Sequence, residues 1–217
     1  MLGITIDLWS ERCGGMSDKI IITIGREFGS GGKELGTRLG EKLGIPVYDK
    51  ELLNEAAKES GYSKEIFEQH DEKPTNSFLY SLAMGVNTWG QGYHRPLMLE
   101  LYLAQFDTIK KLADEGSGIF IGRCADYVLA DREDAFHIFV HADMKQRIAR
   151  IVEKYNVSEK KAGEMCMKND KDRSSYYNYY SSTIWGDSRH YDLTLNTAKF
   201  GIEKAVDIVI DCLNNRK

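Results

Sequence analysis

Residues 25–35 read Gly25-Arg-Glu-Phe-Gly29-Ser30-Gly31-Gly32-Lys33-Glu34-Leu35. Three glycines and a serine in succession, then a lysine where a helical pattern starts, can wrap main-chain N–H groups around phosphate oxygens. Side chains there would block the anion, and parts of such a turn need φ > 0. Gly29, Ser30, Gly31, Gly32, Lys33 and Glu34 are therefore the expected phosphate-binding set. The strict pattern G-x-x-x-x-G-K-[ST] is not met. With Gly32-Lys33 in the G-K places, Glu27 stands where the first glycine belongs and Glu34 replaces the hydroxyl that touches Mg²⁺. Glu34 or Ser30 is the expected metal ligand. The alternative for Glu34 is a carboxylate stabilised only by the helix N-terminus.

Other reactive side chains follow apolar runs. Asp49, after Val47-Tyr48, is either an acceptor- or metal-associated carboxylate or the N-cap of the next helix. In Gly122-Arg123-Cys124-Ala125-Asp126, the arginine supplies a planar fork for bidentate phosphate binding and the glycine lets a ligand approach. The plainer alternative is a surface Arg123 paired with Asp126. Lys168, Asp170, Lys171 and Arg173 are either a solvated helix face or a loop-borne charge cluster. In the second case Arg173 neutralises a transferring group on closure. Arg189 is a secondary candidate for that role. Tyr93-His94-Arg95 either grips an acceptor or is a polar loop. Tyr176, Tyr177, Tyr179 and Tyr180 are expected to pack or mediate contacts before they stack on a base. His137 and His141 face one way on a strand but are too far apart to share a metal.

These residues need a frame that gathers them. Ile20–Ile24 is a β-branched run of the kind buried on both sheet faces. Leu35, Leu39 and Leu43 recur at helical spacing with Gly36 and Gly40 on the neighbouring stripe, and Gly44 and Pro46 end the pattern. A helix is expected over 50–59, and residues 61–96 read as a polar, mobile or substrate-covering insert. A helix carrying Leu97, Leu101, Ile109 and Leu112 follows, then strands at 119–121 and 136–140. Asp143 with Gln146 matches a capping box. A polar, tyrosine-rich stretch (173–191), a strand at 192–195 and an amphipathic last helix complete the chain. Strands alternating with helices predict a largely parallel sheet covered on both faces, with ligands beyond the strands' carboxyl ends.

Composition narrows the class. The chain has 217 residues, 42% hydrophobic, enough for one domain with a buried core. Twenty-nine Lys+Arg against 33 Asp+Glu give a net −4, which argues against a nucleic-acid or anionic-membrane surface. No apolar run approaches the ~20 residues of a membrane span. Cys13, Cys124, Cys166 and Cys212 lack zinc-ligand spacing, so a cytoplasmic protein with reduced thiols is expected. Residues 1–15 do not read as a signal peptide, and Met16 is the expected natural start.

The blocks IITIGREFGSGGKELG, IPVYDKELL and IFIGRCADYVL resemble the cytidylate-kinase-like branch of the P-loop nucleoside-monophosphate kinases. The likeness runs from about residue 19 to the C-terminus, is weaker over 61–96 and is absent in 1–15. It implies a three-layer α/β P-loop NTPase fold: a five-stranded, mostly parallel sheet, a substrate-binding insert at 61–96 and a helical, arginine-bearing lid at 166–191, all within one domain over 16–217. It also implies transfer of the γ-phosphoryl group of ATP, with Mg²⁺, to CMP or dCMP. Lys33, Arg123 and Arg173 are then the catalytic cations, and Asp49, Arg95, Arg123, Asp126 and Asp170 the acceptor side. True cytidylate kinases carry Gly-Arg-Asp where this chain has Gly122-Arg123-Cys124. Two rival readings are a P-loop kinase for another small acceptor and a nucleotide-binding module without turnover. ATP and a nucleoside monophosphate are the expected partners, with no nucleic acid and no membrane.

Overall fold

A computed structural model describes residues 19–72 and 97–216. The first strand, β1 (Ile21–Arg26), is buried throughout and lies at the sheet's centre. Its neighbours are β3 (Gly118–Ile121) and β4 (Ala135–His141), flanked by β2 (Val47–Tyr48) and β5 (Leu193–Asn196). The order is β2-β3-β1-β4-β5 and every pairing is parallel, with Thr23 opposite both Phe120 and His137. All five carboxyl ends therefore meet on one edge, where the reactive side chains were expected.

Alternation along β1 builds the two cores. Ile22 and Ile24 point into one with Leu35, Leu39, Ile138, Val206 and Val209. Ile21 points into the other with Leu52, Ile109, Phe120 and Leu129. The first core is covered by α1 (Gly32–Leu43) and the last helix, α8 (Thr197–Asn215), which is broken by a kink at Gly201. The glycine stripe predicted on α1 lets it lie close to the sheet: a Cβ on Gly40 would fall 2.3 Å from Val47 Cγ2. The second core is covered by α2 (Lys50–Ser60), α4 (Leu97–Glu115) and the short α5 (Ala125–Val128). This is a three-layer P-loop α/β fold.

Three local expectations change. Residues 61–72 hold a helix, α3 (Lys64–His70), whose Phe67 is fully buried against Ala56, Ala57 and Leu101, so this part of the insert is packed on the body. The tyrosine-rich stretch is helical to Tyr180, as the second half of α7 (Glu159–Tyr180). Its spacing mixes buried tyrosines with serines and charges, which hides the helical period. The capping box is not made. At the start of α6 (Met144–Tyr155) no side-chain cap bond forms, and Gln146 N–H donates to the Asp143 main-chain oxygen at 3.0 Å. Met16, Arg95 and the remainder of the insert lie outside the described residues.

Candidate active site

The phosphate turn spans the gap between β1 and α1. Gly29 and Gly31 adopt φ of 80° and 85°, the left-handed region that favours glycine. A Cβ on Gly32 would sit 2.6 Å from Arg26 Cβ, so the crossing over the strand end also requires glycine. Leu35 N–H is the first to find a helical carbonyl, Gly31 O at 2.9 Å. The amides of Gly32–Glu34 are thus left as the open N-terminal donors of α1. The turn is braced from behind. Ser30, fully buried, donates its hydroxyl to Glu27 O at 2.9 Å, and Ser30 O accepts from Thr197 Oγ1. Asp170 accepts from Phe28 N–H at 2.7 Å and pairs with the buried Arg147.

Lys33 Nζ lies 2.7 Å from Asp49 Oδ2, with more than half of the lysine side chain exposed to the cleft. Asp49 makes no cap bond to α2, so of its two readings the geometry favours the carboxylate facing the turn. Burial alone would raise its pKa, but the Lys33 hydrogen bond and the Arg123 charge outweigh that and hold it below the ordinary value.

Beyond β3 the backbone reverses sharply. Gly122, Arg123 and Cys124 have φ of 76°, 54° and 57°, a strained run for the two residues that are not glycine. This turns the Arg123 side chain, 1% exposed, into a fully occupied pocket. Its fork is bidentate on Asp71 (2.9 and 2.8 Å), and Nη1 reaches Ile121 O at 3.2 Å and Asp49 Oδ1 at 3.4 Å. Next to it Glu72 accepts from Arg26 Nη1 at 2.5 Å, Arg173 Nε at 3.1 Å and Arg123 N–H at 3.0 Å. Burial would push the Glu72 carboxyl up, but the guanidiniums of Arg26, Arg173 and Arg123 hold it well below its ordinary value. A cleft of about 1380 Å³ joins the two halves, lined by the turn, Asp49, Asp71, Glu72, Arg150 and Arg173.

Residues 21–199 match the model of the cytidylate kinase-like family. The chain belongs to the cytidylate kinase-like family. It is 26% identical over 194 residues to a cytidylate kinase of Pyrococcus horikoshii, covering 88% of this chain and 87% of that protein. An uncharacterized protein from Eubacterium ventriosum has a solved structure that superposes with a TM-score of 0.71. It is 32% identical, over 91% of this chain and all of that one. Shikimate kinase from Bacteroides thetaiotaomicron superposes with a TM-score of 0.52 at 13% identity, over 89% and 98% of the two chains, a likeness of fold alone.

Within this cytidylate kinase-like frame the predicted residues separate. Gly29, Gly31, Gly32, Lys33, Glu34, Asp49 and Arg173 line the cleft. Glu34 is half-exposed and pairs with Arg150 at 2.5 Å. Ser30 points into the protein, away from the cleft. Asp126 does not pair with Arg123: it is buried, accepts from Tyr177 O–H at 2.7 Å, and its pKa is raised by that burial. Asp170 buttresses the turn from behind. Tyr176 and Tyr177 are buried around Cys124, and the Tyr180 ring stacks on Tyr102 with centroids 4.0 Å apart. Cys124, 3% exposed with its thiol pushed up by burial, is not set as a nucleophile. Arg189 pairs with Asp187 on the surface. Sequence reasoning missed Arg26, Asp71, Glu72, Arg147 and Arg150. Arg26 carried a signal, a cation at the end of the strand that feeds the turn. Asp71 and Glu72 carried none.

Proposed function

We propose that this chain is a nucleoside-monophosphate kinase that moves the γ-phosphoryl group of ATP to CMP or dCMP in the cytoplasm. One observation carries the reading: an open amide turn with Lys33 shares one cleft with Arg26, at the end of β1, and Arg173, on α7, with the buried Arg123 that follows β3 behind their acid partners Asp71 and Glu72. The transferring group loses its bond to the ADP oxygen as it gains one to an oxygen of the acceptor's phosphate. Charge spreads over three equatorial oxygens, and positioning with neutralisation does most of the work. Lys33 and the turn amides hold the donor's β- and γ-phosphates. Arg123 holds the acceptor's phosphate, with Arg95 of the insert (61–96) as its expected helper. Arg173, on the lid segment 166–191, meets the transferring charge. Asp49 sets the position of Lys33.

A bound Mg²⁺ would offset the charge of the phosphates. Ser30 does not fit as its ligand, because its hydroxyl is buried and engaged with Glu27 O. The Glu34 and Asp49 carboxylates fit, being hard oxygen donors that line the cleft; Mg²⁺ commonly takes one or two carboxylates and fills its other positions with phosphates and water. Among the described residues no three His, Cys, Asp or Glu side chains gather to hold an ion by themselves. No helix among them is long and apolar enough to cross a membrane.

The test is ADP release with Mg·ATP and a panel of CMP, dCMP, UMP, AMP, shikimate and gluconate. CMP and dCMP are expected to turn over fastest. Preference for a non-nucleotide overturns the acceptor assignment, a reading that Cys124 in place of the family's aspartate keeps open. ATP binding that is indifferent to Mg²⁺, with no ADP formed from any acceptor, overturns the enzyme.

A further inference from the structure

Arg123, assigned to the acceptor's phosphate, and its neighbours Arg26 and Arg173 are not free. Arg123, Arg26 and Arg173 are each in contact with a carboxylate of Asp71 or Glu72, the two residues that follow α3. The carboxylates are arranged as a ligand's oxygens would be. Asp71 takes the Arg123 fork with both oxygens, the bidentate geometry this side chain offers to a carboxylate or a phosphate. Glu72 divides its oxygens: Oε1 meets Arg26 Nη1 and the Arg123 N–H, Oε2 meets Arg173 Nε.

Gly122 locates the overlap. A Cβ built there would fall 2.1 Å from Glu72 Oε1 and 1.8 Å from Arg26 Nη1. The surface that a glycine leaves bare for a ligand is covered by the chain's own carboxylate. Behind it, between Gly122, Asp126, Tyr177 and Tyr191, only about 10 Å³ is open, at most a single water. With both acids seated no phosphate oxygen can reach the Arg123 side chain. Glu72 sits at φ 48°, a left-handed conformation held while its carboxylate is gripped. Counting Lys33, the site carries four cations against Asp49, Asp71 and Glu72, a net of +1. Releasing the two acids would leave +3 for an incoming dianion.

We infer that Asp71 and Glu72 are a resident stand-in for the acceptor's phosphate, an intrasteric acid pair that the acceptor displaces to reach Arg123, Arg26 and Arg173. This rests on the reading of Arg123 as the acceptor-phosphate residue, with Arg173 beside it at the transferring group. The pair offsets two of the three guanidinium charges, Arg123 being also in contact with Asp49, and it makes every binding anion compete with the chain's own carboxylates.

Calorimetric titration of the full chain with inorganic phosphate, and separately with CMP, tests it in the wild type, Glu72→Gln and Asp71→Asn. Each variant keeps the side chain's shape and deletes one competing charge. Phosphate affinity is expected to rise by about tenfold in either, the scale of one charge removed at a few ångströms in a partly buried site. The gain must vanish when Arg123→Gln is added; a gain that survives belongs to the phosphate turn and overturns the proposal. Unchanged or weaker phosphate binding in the single variants also overturns it, because the acids would then be aligning the arginines. Should Glu72→Gln fail to fold, Asp71→Asn, altered on the better-exposed acid, carries the same test. Tighter phosphate binding with no nucleotide phosphorylated leaves the stand-in intact and fails the nucleotide reading. Tighter CMP binding without tighter phosphate binding does the reverse.

Discussion

On the proposed reading, the donor and acceptor halves of the cleft would recognise the same chemistry by opposite means. On the donor side a ligand's oxygens would meet main-chain amides and one half-exposed ammonium group. On the acceptor side they would meet side-chain guanidiniums, with Arg123 almost wholly buried. Amides carry no net charge, so the turn itself needs no counter-ion and only Lys33 is paired, with Asp49. Buried guanidiniums are costly without partners, so the chain supplies Asp49, Asp71 and Glu72. On that reading the phosphate turn leaves its amides open, whereas the arginine cluster is satisfied by the chain's own acids.

Removing Arg123 is the severest way to challenge that contrast. Arg123→Met leaves Asp71 facing an apolar side chain and takes one partner from Asp49, while Glu72 keeps the main-chain N–H of residue 123. Breaking such a buried pair by deleting one member typically costs about 3–5 kcal/mol. Urea denaturation should show a loss of that size together with lost kinase activity. A stable, inactive variant would mean the acids do not depend on this arginine.

Lys33→Ala should divide the two properties instead. The side chain is 59% exposed and its partner Asp49 keeps Arg123 nearby, so stability should stay within about 1 kcal/mol. Turnover should fall by about 10²–10³-fold, the usual loss for one preorganised donor to a transition state. Steady-state kinetics beside thermal unfolding gives both numbers. Undiminished activity would remove the turn from the chemistry.

The same contrast explains what could be read from the chain. The phosphate turn is local: Gly29 to Lys33 fall within one turn, so composition and spacing were enough to place the turn, though not to show that Ser30 faces inward. The acceptor side is assembled from Arg26, Glu72, Arg123 and Arg173, whose Glu72 contacts span 46, 51 and 101 residues in sequence. No spacing rule marks Glu72, and Asp71-Glu72 looks like any acidic end of a polar helix. Asp126 and Asp170 were recognisable as chemical groups, but their direction was not. One turn of α5 aims Asp126 at Tyr177, and the packing of α7 aims Asp170 at the back of the phosphate turn. The sheet was legible almost to the residue because β-branched runs bounded by glycine leave few alternatives.

Behind the acceptor half, Asp126 offers a smaller effect with a definite sign. Burial raises its pKa, so the native state holds the proton more tightly than the unfolded chain. Stability from this group is therefore greatest below the unfolded value, about 4, and declines as pH rises towards the folded value. Asp126→Asn, which keeps an acceptor for Tyr177 but cannot ionise, should gain on the wild type as pH is raised from 4 to 8. Denaturation midpoints at several pH values measure it; parallel curves would mean the carboxyl titrates as if exposed. Tyr177→Phe removes the hydroxyl instead and should cost about 1–3 kcal/mol by leaving the buried carboxyl short of a donor.

The smallest structural effect belongs at the donor mouth. Glu34 is half-exposed and its pair with Arg150 joins two partly exposed side chains, an arrangement generally worth under about 1 kcal/mol. Glu34→Gln should leave the denaturation midpoint nearly unmoved, in contrast to Arg123→Met. The carboxylate stands where P-loop kinases place a hydroxyl for the metal, so its loss should appear in the Mg²⁺ requirement. If Glu34 is a ligand, the Mg²⁺ concentration for half-maximal activity rises while activity at saturating metal is largely kept. If it only complements the helix N-terminus and Arg150, that concentration does not move, and Asp49 becomes the carboxylate to test next. A large stability loss would break the contrast itself, because the donor mouth would then depend on charge pairing as the acceptor half does.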